Sequence, residues 1–199
     1  MINYEVFLAL MLYYFVMYVT PGPNNAMVLT SGLKFGFQKT ITHILGITFG
    51  HIIQLILVCF GLGQIFTLFP DLQIVLKYIC AIYILYLGYK ILGSINPIID
   101  DGSRPLKLHE AALFQIVNPK AWTISSMAAS GFLQINDNLG IAILIIASAA
   151  LVICPLSITP WAMFGAAIRQ IVKNKNIKTI IEYFLAFFLL ITAILIVYN

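Results

Sequence analysis

Residues 20–25 read Thr-Pro-Gly-Pro-Asn-Asn, and their surroundings decide the fold. The stretch follows the apolar run VFLALMLYYFVMYV (residues 6–19) and precedes AMVLTSGL (residues 26–33). Two prolines and a glycine break a helix, because proline has no N–H and its ring clashes with the carbonyl one turn back. From Phe7 a helix descends ~20 Å before it meets Pro21. That depth is still inside a hydrocarbon core of ~30 Å. Carbonyls around Met17–Val19 therefore lose their partners. Such a break is tolerated only where protein or a wet cavity surrounds it. The pattern predicts that Asn24 caps a second half-helix running to Leu33. The N–H groups and dipole of that half-helix favour an anion such as a carboxylate. The competing reading is a proline kink that only shapes packing.

Composition puts the chain in a membrane. Of its 199 residues 61% are hydrophobic and 9% are charged, against about 25% charged in soluble domains. Mean hydropathy is +0.99. The net charge of +4 comes from basic residues scattered between apolar runs, so they read as topology signals, not as a nucleic-acid surface. The partners expected are the lipid bilayer and a small molecule, with no nucleic acid; homo-oligomerisation is left open. The first apolar run lacks a basic leader and an A-x-A-like site, so it reads as a retained helix. Cys59, Cys80 and Cys154 stand singly in apolar runs without a CxxC and read as small buried side chains.

Six segments are long enough to span, at about twenty apolar residues each: 4–31, 41–64, 72–93, 110–133, 139–163 and 178–198. The fold class expected is an all-α integral membrane protein. It would be a single domain over 1–199 with broken helices in spans one and four. Lys34, Lys39, Lys90, Arg104, Lys107, Arg169, Lys173, Lys175 and Lys178 lie in or beside the loops after spans one, three and five. The excess of Lys and Arg places those loops in the cytoplasm and both termini outside it. Spacing also suggests a repeat. Pro21 and Pro119 stand 98 residues apart, and spans two and five begin at the same interval. Halves of about 1–95 and 108–199, each with an odd number of spans, would be inverted relative to one another. Inverted repeats are a transporter feature, with the site at their interface.

The counterpart in span four is Asn118-Pro119-Lys120-Ala121-Trp122. Lys120 lies ~15 Å into its span, where a lysine is costly and by default a functional candidate. It would pair with a substrate carboxylate or with the carbonyls freed by the first break; the alternative is a lysine that snorkels to the interface. Gly46 and Gly50 form a GxxxG that permits close helix contact. His43 and His51 share a face, and His51 reads first as a packed polar residue. Tyr83, Tyr86 and Tyr89 form a stripe suited to packing. Pro155 and Pro160 predict an interrupted, bent span five. Glu182 is the one acid within a late span. No metal-ligand spacing, nucleophile–base pair or phosphate loop stands out, so neither enzyme chemistry nor a cofactor is expected.

The segments VTPGPNNAMVLTSGLKFGFQKTITHILGITFGH (19–51), YILYLGYKIL (83–92) and VNPKAW (117–122) resemble the LysE/RhtB family of amino-acid exporters, in the same order along essentially the whole chain. The resemblance implies a six-span exporter of amino acids or their derivatives in a bacterial inner membrane, driven by the proton gradient. Its motif positions fall on Thr20, Pro21, Gly22, Pro23, Asn24 and Asn25, and on Asn118, Pro119, Lys120 and Ala121. A departure from the family pattern is that the first three spans hold no deep acidic residue, which leaves the proton carrier unassigned; His51 and Glu182 are the residues open to a coupling role. Two rival readings are a divalent-metal exporter and an intramembrane thiol redox protein. The first should show His- or Asp-rich loops, and the second needs paired cysteines.

Overall fold

A computed structural model describes residues 4–92, 104–136, 138–171 and 175–198. Among the described residues every regular element is helical. Helix α1 (Tyr4–Val19) and helix α2 (Pro23–Phe35) are separated by Thr20–Gly22 and meet at 56°. Gly36, at φ 86°, turns the chain into α3 (Phe37–Cys59); that left-handed backbone suits glycine because it has no Cβ. A short turn leads through α4 (Ile65–Leu68) to α5 (Pro70–Ile91), which starts with proline in its first turn and Asp71 beside it. Both residues are favoured at a helix start. Then come α6 (Leu108–Val117), α7 (Pro119–Phe132), α8 (Leu139–Ile171) and α9 (Lys175–Tyr198).

Each of the apolar runs coincides with one helix or with a broken pair. Helices α3, α5, α8 and α9 are long and apolar enough to cross a membrane, and the bent α1–α2 pair adds a fifth crossing if it counts as one span. Helix α6 is apolar but shorter. Large apolar side chains stay exposed on the outer faces, among them Leu12, Ile53, Ile82, Leu144 and Phe184. Such a surface suits contact with lipid.

Between membrane helices lipid is as apolar as leucine, so close packing of small residues holds the bundle together. Helices α2 and α8 touch backbone to backbone where Gly32 faces the carbonyl of Ala162 and Gly165 faces that of Leu29. Gly46 and Gly50 receive α6 at Leu108 and Ala112. That contact is what the GxxxG spacing provides. Helix α5 packs along α9, and α3 and α8 pack on each other. One buried apolar cluster joins α1, α3, α7 and α8 around Tyr14, Ile47, Ala128 and Ile146. A second joins α2, α5, α6 and α9 around Ala26, Cys80, Ile84, Phe114 and Leu189.

One local expectation is corrected here. Helix α8 runs unbroken through Pro155 and Pro160. Prolines are tolerated inside membrane helices when neighbouring helices enclose the freed backbone groups, and α8 packs against α1, α2 and α3.

Candidate functional site

The first break is built from what the prolines remove. With no N–H at Pro21 and Pro23, the last carbonyls of α1 need donors from elsewhere. Asn25 supplies one set. Its amide Nδ2 donates towards the carbonyls of Tyr18 (2.9 Å), Val19 (3.2 Å) and Thr20 (3.0 Å). The indole of Trp161 on α8 donates to the Val19 carbonyl at 3.2 Å. The Thr20 hydroxyl donates back to Met17 at 3.0 Å.

Lys120 completes the set from the other half of the chain. Its ammonium donates to the Thr20 carbonyl (2.7 Å), the Thr20 hydroxyl (2.8 Å) and the Pro21 carbonyl (3.2 Å). The buried Gly22 makes room for the lysine stem, because a Cβ there would collide with the Lys120 side chain. Lys120 therefore points to the break, not to the membrane surface.

Asn24 does not cap α2. The capping position is Gly22, Pro23 takes the first turn, and no side chain closes that end. Proline suits the first turn because its missing N–H would be unpaired there anyway. Asn24 points instead across the bundle in a reciprocal amide pair with Gln115, at 2.9 and 3.2 Å. Gln115 is also held by Gln54, which donates to its carbonyl at 3.0 Å.

The second break is narrower. Asn118 alone separates α6 from α7, and its Oδ1 accepts from the Lys120 backbone N–H at 3.1 Å. It is a conventional side-chain cap. Pro119 follows in the first turn.

Three cavities adjoin these elements. A void of about 20 Å³ lies between the breaks, lined by Asn24, Asn25, His51, Asn118 and Lys120 among others. A chamber of about 290 Å³ is lined by Pro21, Gly22, Pro23, Lys120, Lys77 and Thr192 among others, towards the start of α5 and the end of α9. A chamber of about 360 Å³ lies at the other end, beside Lys34, His43, Tyr83, Lys90 and Arg104. In the second apolar cluster, Ala26 on α2 and Cys80 on α5 stand between the residues of those helices that line the two chambers, Pro23 and Lys77 on one side, Met27 and Tyr83 on the other.

Thr20, Pro21, Gly22, Asn25, Asn118, Pro119 and Lys120 thus gather around one locus, with Pro23 and Asn24 at its edge. His51 joins them at the void, buried, with its ring 5.4 Å from that of Tyr18 and edge-on to it. Its Nε2 has no hydrogen-bond partner. Glu182 is buried on α9 and lines none of these cavities. Gln54, Gln115 and Trp161 were not singled out from sequence. Polar side chains in apolar helices were the available signal for the two glutamines, and a tryptophan directly after Pro160 for the third. The three cysteines are free and buried, Cys80 in a different apolar cluster from Cys59 and Cys154. Among the described residues no group of three or more His, Cys, Asp or Glu is placed to hold a metal ion.

Broken apolar helices that share polar contacts across a bundle, with chambers towards both ends, belong to the class of membrane transport proteins. The chain belongs to the LysE type translocator family, whose profile matches residues 15–199. It is similar to the leucine efflux protein of Enterobacter sp. (strain 638), at 26% identity over 169 residues, covering 81% of this chain and 80% of that one. It is also similar to the cysteine/O-acetylserine efflux protein of Salmonella typhimurium, at 30% over 135 residues, covering 64% and 68%. The protein of the same description from Escherichia coli O1:K1 / APEC is 31% identical over 117 residues, covering 57% and 58%. No solved structure matches the chain.

Proposed function

We propose that this protein exports an amino acid or a close derivative across a bacterial inner membrane, driven by the proton gradient, and that it is not an enzyme. The family and the efflux proteins similar to it support the substrate class. In this reading six spans form two inverted halves, α1–α2 and α6–α7 each counting as one broken span. The packing is compatible with that symmetry: α3 of the first half holds α6 and α7 of the second, while α8 holds α1 and α2. The end bearing Lys34, Lys90 and Arg104 faces the cytoplasm, with both termini outside, by the excess of basic residues there.

The observation that carries the reading is the Lys120 ammonium inside three oxygens of the opposite break. Those oxygens form a cage for a primary ammonium group. An amino acid brings an ammonium of its own together with a carboxylate. Its ammonium would take the cage, and the displaced Lys120 would pair with its carboxylate. A zwitterion satisfies both groups at once; a simple amine would leave Lys120 without a partner in a desolvated site, which is costly. Alternating access would follow from one half rocking against the other, with the apolar layer between the chambers as the barrier. His51 is the better candidate for proton coupling, because it adjoins the void between the breaks and Glu182 does not.

The test is efflux from cells preloaded with a panel of amino acids that includes leucine, cysteine and O-acetylserine. Export of at least one, abolished by a protonophore, is the expected result. A panel that leaves no faster than from cells lacking the protein would refute the assignment.

A further inference from the structure

The oxygen cage and Lys120 provide for the ammonium and carboxylate of an amino acid, but not for its side chain. The void between the breaks is about 20 Å³, room for roughly one water molecule. The space left for a side chain is the chamber of about 290 Å³ beside the cage, whose wall includes Pro21, Gly22 and Lys120. Helix α5 contributes Gln73 and Lys77 to the same wall. The buried residues of α5 are Cys80, Ala81, Ile84, Gly88 and Ile91, an inward stripe in steps of three and four. Lys77 continues that stripe by one turn and Gln73 by another, whereas Tyr78, Ile79 and Ile82 are exposed. Lys77 is half-buried and stands ~10 Å along α5 from Pro70. An ionisable side chain turned inward within a span is by default a functional one. Among the described residues Lys77 makes no hydrogen bond or ion pair. The wall's two hydroxyls have spent their protons within their own helices, Thr123 on the Pro119 carbonyl and Thr192 on that of Phe188. Apart from Lys120, the donors left for a ligand are therefore the Lys77 ammonium and the Gln73 amide.

We propose that this chamber is the side-chain pocket of the exporter, and that Lys77 selects amino acids whose side chain ends in an oxygen acceptor, a carboxylate or an acyl carbonyl. The inference rests on the exporter reading and names its substrate class. With the substrate's ammonium in the cage and its α-carboxylate on Lys120, the side chain extends along the chamber. Its terminal oxygen accepts from Lys77, with Gln73 as a second donor. The prolines of the break and Ile196 line the same chamber and suit the methylenes in between. A hydrocarbon side chain of equal size leaves the Lys77 ammonium against methyl groups as water is displaced, and an unpaired charge there is costly. A site built to hydrogen-bond a polar group rejects the analogue that lacks it far more strongly than an apolar pocket rejects a change of size.

Aspartate and leucine have side chains of nearly the same shape, so together they separate charge from size. Energised inside-out vesicles carrying the full-length protein are given radiolabelled aspartate, glutamate, O-acetylserine and leucine. The readout is the half-saturating concentration of leucine divided by that of the best of the other three. In the wild type this ratio should be about ten or more, the worth of one charge-assisted hydrogen bond. Lys77→Met, at matched abundance, should bring it close to one by weakening the acceptor-bearing substrates and sparing leucine. Lys77→Arg keeps a charged donor and should retain part of the preference. The wild-type ratio needs no variant, so it tests the pocket even if Lys77→Met fails to insert. A wild-type ratio of one or below overturns the pocket, and so does a ratio that Lys77→Met leaves unchanged. Uptake of leucine alone also overturns it and leaves the exporter reading standing. If none of the four enters, the pocket's selectivity is refuted, and the exporter reading is decided separately by its own efflux panel.

Discussion

In the first break the chain leaves the helix over Thr20–Gly22 and turns through 56°; in the second only Asn118 lies between the two helices. The wide break exposes carbonyls and must import donors from Asn25, Trp161 and Lys120. The narrow one is capped by its own asparagine and has an ammonium to give away. Proline and asparagine begin both, yet one half of the molecule presents oxygens and the other presents a cation. Two halves with unlike breaks can hold a molecule that is itself positive at one end and negative at the other. Two identical breaks could not.

The largest effect is expected where the halves meet. Lys120→Met keeps much of the apolar stem and removes the charge. Losing one partner of a desolvated charged contact costs ~2–5 kcal/mol, so efflux at matched membrane abundance should fall more than tenfold. Lys120→Arg should restore only part of it, because a planar fork does not fit a cage shaped for an ammonium group. Wild-type efflux by the methionine variant would show that the contact between the breaks is dispensable.

Next come the two asparagines, whose replacement compares the breaks directly. Asn25→Ala leaves the Tyr18 carbonyl without that donor, an unmet buried group costing ~1–3 kcal/mol, while the Val19 and Thr20 carbonyls keep Trp161 and Lys120. The melting temperature of the purified protein should drop clearly, and Asn25→Asp should not restore it, since a carboxylate has no donor to offer. Asn118→Ala removes one local cap, worth ~1 kcal/mol, and should lower the melting temperature less. Equal losses in the two variants would mean that the breaks are not as different as their hydrogen bonds suggest.

The sequence carried much of this, and its omissions have physical causes. Apolar runs punctuated by Pro, Gly and charge locate the helices, because bilayer thickness and backbone hydrogen bonding leave little choice. TPGPNN and NPKAW mark the breaks for the same reason. The donors that repair a break come from anywhere in space, so Trp161, 142 residues from Val19, had no signature near either motif. Asn24 was misread as a cap because Asn after a turn usually is one; Pro23 already occupied the first turn, and the amide found Gln115 91 residues away. The prolines of α8 were read as an interruption by local rules, whereas packing against α2 and α3 keeps that helix continuous.

The smallest effect separates the hydroxyl of the cage from its carbonyls. Thr20 contributes both kinds of oxygen to Lys120, the carbonyl at 2.7 Å and the hydroxyl at 2.8 Å, while the hydroxyl's own proton goes to Met17. Thr20→Val has nearly the same shape and leaves the two carbonyls in place. It removes one acceptor from the cage and one donor from the end of α1. A single intramolecular hydrogen bond is worth ~0.5–1.5 kcal/mol net, so the half-saturating concentration should rise roughly two- to fivefold. The maximal rate should hold, since the backbone oxygens still define the cage. Thr20→Ser keeps the hydroxyl and should behave as wild type, apart from a small loss of packing where the methyl was. Measuring both variants alongside Lys120→Met sets the hydroxyl against the two carbonyls taken together. If Thr20→Val loses as much transport as Lys120→Met, the hydroxyl is the principal ligand, and the wide break contributes a side chain where the geometry suggests it contributes backbone.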